Sequence, residues 1–245
     1  MTAQHLHIDY TPQNGWVLTI MSRLLKSSDP DLRKAFERWS DTPQMELGFA
    51  ITTRMHMLGL CIRRLNNRVA QLREELKSDI PKIEDALARQ GAFTPKDKDL
   101  PYELLLDMDS FIFETRPLYE IVGKFLVELF RTLIGRKVTQ GDLQSILSSN
   151  GIDTRWIAEL QENRKLFFHQ TAPWVAIEVE SGTAKFDPIL LKRNVTTFED
   201  PDSFVSFTQL RDIYDGFVGS ASELHRFVME QIRLHESNVR VNSIN

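Results

Sequence analysis

ITTRMHMLGLCIRRLNNRVAQLREEL, residues 51–76, decides the fold. Its apolar positions are Ile51, Met55, Leu58, Ile62, Leu65, Val69, Leu72 and Leu76, and they step by four and three without a break. That spacing places them on one side of an α-helix about seven turns long. A stripe this narrow packs against another helix at a shallow angle. Asp41-Thr42-Pro43 offers a cap and a first-turn proline ahead of it. Pro81 bars continuation, so the helix is expected to end near Ser78.

The same period returns twice. Leu104, Met108, Phe111, Thr115, Leu118, Val122, Phe125 and Leu129 form a second seam. A parallel row of Leu105, Ile112, Tyr119, Leu126 and Leu133 widens it, which means burial on more than one side. Pro117 interrupts neither row, so a kink is expected there, with Gly135 as the stop. The third seam is Phe207, Leu210, Tyr214, Phe217, Ala221, Leu224 and Val228, in a helix expected from Asp202 or Ser203 to about His235. Shorter helices are expected at Gln140 to Ser148, from the cap at Asp153 through His169, and around Ile83 to Arg89. Two more should occupy Asn14 to Trp39, split at Ser27-Ser28-Asp29-Pro30.

Between the Asp153 helix and the last long one the period changes from helical to alternating. Trp174 to Val179 and Lys185 to Leu191 read as two strands around a Ser181-Gly182 turn, with Val195 to Phe198 as an extension. The fold class is therefore mainly all-α: an up-and-down bundle of long helices with a small β-hairpin (174–198) inserted before the last long helix. The long helices need one another to cover their stripes, so residues 1–245 are expected to form a single helical domain, with 1–41 as an N-terminal helical extension.

Composition narrows the function. A net charge of −4 argues against a broad cationic surface for nucleic acid, while leaving room for a local basic cleft. One cysteine, Cys61, in an apolar stretch reads as a small buried hydrophobe and suits a reducing cytoplasm. The first ten residues lack the apolar core of a secretory signal, and no apolar run suits a membrane span. His5 and His7 alternate as on a strand, but no third ligand stands nearby, and no metal site or cofactor is expected. No phosphate-cradling glycine loop or serine-hydrolase elbow is present. Arg63, Arg64, Arg68 and Arg73 make the first long helix basic along part of its length, which reads more readily as a face paired with acidic neighbours than as an RNA-facing stripe.

Asn163-Arg164-Lys165-Leu166-Phe167-Phe168-His169 is where the sequence suggests chemistry. A guanidinium grips phosphate with two parallel donors, and an imidazole moves protons near neutral pH. The spacing alone is common, and its bland reading is an arginine paired with Glu159 or Glu162 and a histidine bonded to the strand start. A bundle of long helices carrying Arg, four residues, then His late in the chain resembles the HEPN superfamily. The run Asp107 to Phe111 followed by Arg116, and the run Phe167-Phe168-His169 through Ala172-Pro173-Trp174 into a hairpin, are similar to bacterial members. Lys165 stands where many members carry Asn, Asp or His, and Asn163 sits on the other side of the arginine. The resemblance implies a metal-independent endoribonuclease acting as a homodimer, with both copies of the motif lining one cleft. Arg164 and His169 would be catalytic, Asn163 and Lys165 substrate-binding, and RNA the substrate. It also implies a toxin-antitoxin or defence setting, with an antitoxin or nucleotidyltransferase as partner. Some members are non-catalytic interaction or RNA-binding modules, which is the alternative. A third class, a helical ligand sensor, would show an apolar pocket instead.

Overall fold

The computed structural model describes residues 15–40, 44–89, 91–133, 135, 137–169, 174–180, 185–191 and 204–242. Among them the chain is mainly helical, with one small antiparallel sheet placed before the last long helix. The helices are α1 (Trp16–Leu25), α2 (Pro30–Ser40), α3 (Gln44–Ser78), α4 (Ile80–Ala88), α5 (Leu100–Leu133), α6 (Gln140–Ser149), α7 (Arg155–His169) and α8 (Phe207–Asn242). The strands are β1 (Trp174–Glu180), β2 (Lys185–Leu191) and β3 (Phe204–Ser206), in the order β1-β2-β3. His5, His7, the Ser181-Gly182 turn and the extension at Val195 to Phe198 lie outside the described residues.

Two compact units are distinguished. One comprises Met1–His56, Ile121–Val138 and His225–Asn245; the other comprises Met57–Glu120 and Thr139–Leu224. Segments of α3, α5 and α8 contribute to each.

In the first unit, Val17, Ile20 and Leu24 of α1 and Leu32, Phe36 and Trp39 of α2 are buried. Trp39 meets Phe125 edge-on at 5.6 Å. Pro30 opens α2, and Asp29 caps it by accepting the Asp31 N–H on Oδ1 at 2.8 Å. The α1–α2 joint is tied to α8: the Ser27 hydroxyl donates to Glu236 Oε1 at 2.6 Å, Arg23 donates to Glu236 Oε2, and His235 Nε2 stands 3.3 Å from Asp29 Oδ2.

In the second unit, α3 and α5 run antiparallel, since Arg64 reaches Asp107 while Arg68, one turn further on, reaches Asp107 and Glu103. Their seams bury Leu58, Leu65 and Leu72 against a core that includes Leu104, Phe111 and Leu118. Thr115 sits in that apolar row because its hydroxyl donates back to the Phe111 carbonyl at 2.6 Å, so the buried hydroxyl is satisfied. α5 continues through Pro117 and stops at Leu133, two residues before Gly135 with its φ of 68°. α6 begins on a capping box in which Thr139 and Asp142 satisfy each other's backbone N–H groups.

The sheet differs from the expected hairpin by one strand. Phe204–Ser206 pairs antiparallel with β2, Leu190 opposite Val205, and α8 starts only at Phe207. The start is fixed by Ser206 and Gln209: the Ser206 N–H donates to Gln209 Oε1 at 2.8 Å, and the Gln209 N–H donates to Ser206 Oγ at 3.1 Å. Among the described residues β3 pairs β2 from Ile189 to Leu191 and does not reach Pro188, where a residue without an N–H is tolerated.

Candidate functional site

α7 carries all four candidate residues. Its start is held by Asp153, whose Oδ1 accepts the Arg155 N–H at 2.9 Å and whose carboxylate takes the Arg155 guanidinium. Hydrogen bonding from that side chain holds the Asp153 carboxyl below its ordinary range. The inner face of α7 is Trp156, Leu160 and Asn163, stepping by four and three, with Ile157 beside them.

Trp156 anchors this face. Its ring meets Tyr119 edge-on at 5.2 Å and Phe217 at 5.9 Å, and its Nε1–H donates to the buried Ser220 hydroxyl at 3.0 Å. Gly216 makes room for it: a β-carbon there would fall 2.5 Å from Trp156 Cδ1. The Gln144 amide donates to Tyr119 Oη at 3.1 Å, so α6 supports the same aromatic cluster. α7 is therefore fixed along its inner face up to Asn163.

Asn163 is 6% exposed, at the end of the inward stripe, which sets it away from solvent in a single chain. Arg164, the next residue, is exposed. His169 is the last residue of α7. The side chains of Lys165 and His169 lie outside the described residues. Positions 164 and 169 of a regular α-helix are rotated by about 140° about its axis. The exposed residues of the same helix include Glu159 and Glu162, so positive charge at Arg164 is local.

Arg64, Arg68 and Arg73 of α3 are paired with carboxylates. Asp107 is fully buried, and it accepts the Arg64 Nε–H at 2.9 Å on Oδ1 and the Arg68 Nε–H at 2.6 Å on Oδ2. Arg68 also bonds Glu103, and Arg73 stands 3.6 Å from Asp187. The hydrogen bond to Asp107 holds the Arg64 guanidinium above its ordinary value. This clamp joins α3 to α5. Sequence reasoning saw both sets of charges without seeing that one aspartate gathers two arginines. Cys61, one turn from Arg64, is buried, and burial pushes its thiol up.

His225 is held inside the first unit. His225 Nε2 lies 2.7 Å from Thr19 Oγ1, and its ring is tilted by 58° to that of Trp16, with centroids 5.8 Å apart. The Thr19 hydroxyl is within reach of the Gly15 and Trp16 carbonyls, so it donates there and accepts from His225 Nε2–H. Burial lowers the His225 imidazole below its ordinary value. Among the described residues, no group of three or more His, Cys, Asp or Glu side chains is arranged to hold a metal, and no helix is long and apolar enough to cross a membrane.

No family model matches the chain, and no curated protein or solved structure matches it either.

Proposed function

We propose that the chain is a HEPN-like cytoplasmic protein that cleaves RNA without a metal, at a site completed by a second copy. What supports this most is one arrangement. A helix pinned on its inner face by Trp156 carries an exposed arginine and ends five residues later on a histidine. Arg164 holds the phosphate and offsets the charge that builds on it in the transition state. His169 accepts the proton of the 2′-hydroxyl as that oxygen attacks phosphorus, and the imidazolium so formed returns that proton to the departing 5′-oxygen. The products are a 2′,3′-cyclic phosphate and a free 5′-hydroxyl. Because positions 164 and 169 are about 140° apart around α7, one chain makes half a site, and a second α7 supplies the missing group. Lys165 adds positive charge. Asn163, being inward, serves to hold the end of α7 rather than to touch RNA.

RNA incubated with the purified full chain in excess chelator tests the reading. Cleavage is expected to persist in chelator and to fall by about 10²–10⁴-fold in His169→Ala. Loss of activity on adding chelator, or full activity in His169→Ala, would overturn it. Lys165 after the arginine favours a second reading, a non-catalytic RNA-binding or interaction module. That reading predicts RNA binding by the wild-type chain without any cleavage. A toxin-antitoxin setting, with an antitoxin or nucleotidyltransferase as partner, belongs to the catalytic reading.

A further inference from the structure

β1 is an apolar strand that the fold leaves half covered. Val175, Ala176, Ile177 and Val179 are all partly exposed, and Trp174 is 60% exposed. Among the described residues β1 pairs only with β2. Beside it lies a cavity of about 350 Å³, walled by Leu72 of α3, Ile83 and Leu87 of α4, Phe93 of the following segment, Leu104 of α5 and Ile177 of β1. Among the described residues, none of its lining side chains carries a charge or a hydrogen-bonding group.

One stretch of the lining is tied to α3 by hydrogen bonds. The segment between α4 and α5 carries Pro95 on the cavity, and Pro101 stands there in the first turn of α5. The segment is tied back to α3 by the Lys96 N–H on Glu75 at 2.9 Å, Lys96 Nζ on Ser78 at 2.9 Å, and Gln71 on Asp97 at 3.2 Å. These polar ties hold the segment at a fixed stand-off, so the space persists as a built feature of the fold. A site lined by apolar side chains gives water few partners, and an apolar cavity of about 150 Å³ already accommodates benzene. Twice that volume falls in the range of small-molecule pockets.

We propose that this cavity binds a small, uncharged, apolar molecule the size of roughly two fused rings. Its occupant covers the half-exposed face of β1 and replaces lost contacts along Leu72, Ile83 and Leu104. The proposal stands apart from the Arg164 and His169 reading, and neither depends on the other.

The test uses N-phenyl-1-naphthylamine, an uncharged bicyclic fluorophore, titrated into the full chain. Wild type is expected to give saturable, blue-shifted emission with one probe per chain. Ala86→Phe and Ala176→Phe each place a ring in the space, and each is expected to weaken binding by roughly tenfold or more. Circular dichroism reports whether each variant keeps its helices; if Ala86→Phe loses them, Ala176→Phe on the half-exposed strand carries the comparison. Non-saturating emission, or equal binding in a folded cavity-filling variant, would overturn the proposal, because the probe would then be reporting general apolar surface.

Discussion

Replacing Asp107 by Ala removes the carboxylate that joins α3 to α5. Asp107 is fully buried and gathers Arg64 and Arg68, whose side chains are 53% and 26% exposed. Stranding a charge by breaking a buried ion pair costs about 3–5 kcal/mol. Here Arg64 can turn to water and Arg68 keeps Glu103, so the lower end applies, about 3 kcal/mol. Asp107→Asn keeps the shape and loses the charge assistance, for about 1–2 kcal/mol. Arg64→Met should cost less, about 1 kcal/mol or under, because Asp107 retains Arg68 and the lost arginine is half in water. Urea unfolding followed by circular dichroism reads these as shifts of midpoint at constant slope. The triple change Arg64→Met, Arg68→Met and Asp107→Leu should be less damaging than Asp107→Ala, since it strands no charge. A cost below about 0.5 kcal/mol for Asp107→Ala is what an ordinary surface change produces, and it would refute the buried clamp.

Two neighbouring glycines of α8 should respond with opposite signs. Gly216→Ala drives a methyl into Trp156 and should destabilise by about 1–3 kcal/mol, whereas Gly219→Ala meets nothing within 4 Å and should stabilise by up to about 1 kcal/mol through helix propensity. Thermal unfolding of the two variants beside wild type checks this, and a stabilising Gly216→Ala would refute the packing of Trp156. His225 is held below the ordinary imidazole value by burial, so the unfolded chain takes its proton first. Its contribution is complete above about pH 6.5 and is lost as pH falls through the folded-state value. Urea midpoints across that range should show a smaller acid loss in His225→Gln. Asp109 is shifted the other way: burial raises its carboxyl, so the folded chain binds the proton first and stability rises as pH falls through the folded value. Asp109→Asn should therefore raise the urea midpoint at neutral pH, with the gain shrinking toward about pH 4.

The helices were legible because their apolar steps are long enough to outvote local exceptions. Pro117 sits in α5 without ending it, and the four-and-three step on both sides signalled as much. β3 was missed because three residues are too few to show an alternating period. The start of α8 was nonetheless written in the chain, since Ser206 and Gln209 have the spacing of a capping box. Its end at Asn242, beyond the expected His235, follows from the absence of Gly or Pro after Gly219.

The site was legible only in part. Asn163 extends the step of Trp156 and Leu160, and that step already placed it inward, away from the substrate-binding role its position beside Arg164 had suggested. The pairing of Arg64 and Arg68 with Asp107 depends on which helix lies opposite, and no local pattern encodes a contact 43 residues away. The cavity beside β1 has the same character, because its walls come from four separate stretches of chain and only tertiary packing assembles them.

Mixing two inactive variants tests the shared site most directly. In a twofold pair where Arg164 of one copy meets His169 of the other, an Arg164→Ala chain beside a His169→Ala chain leaves one of two sites intact. With random exchange half the pairs are mixed, so the blend should recover roughly one quarter of the wild-type cleavage rate in chelator. A blend as inactive as its components, in the presence of demonstrated subunit exchange, would contradict a site built from two chains.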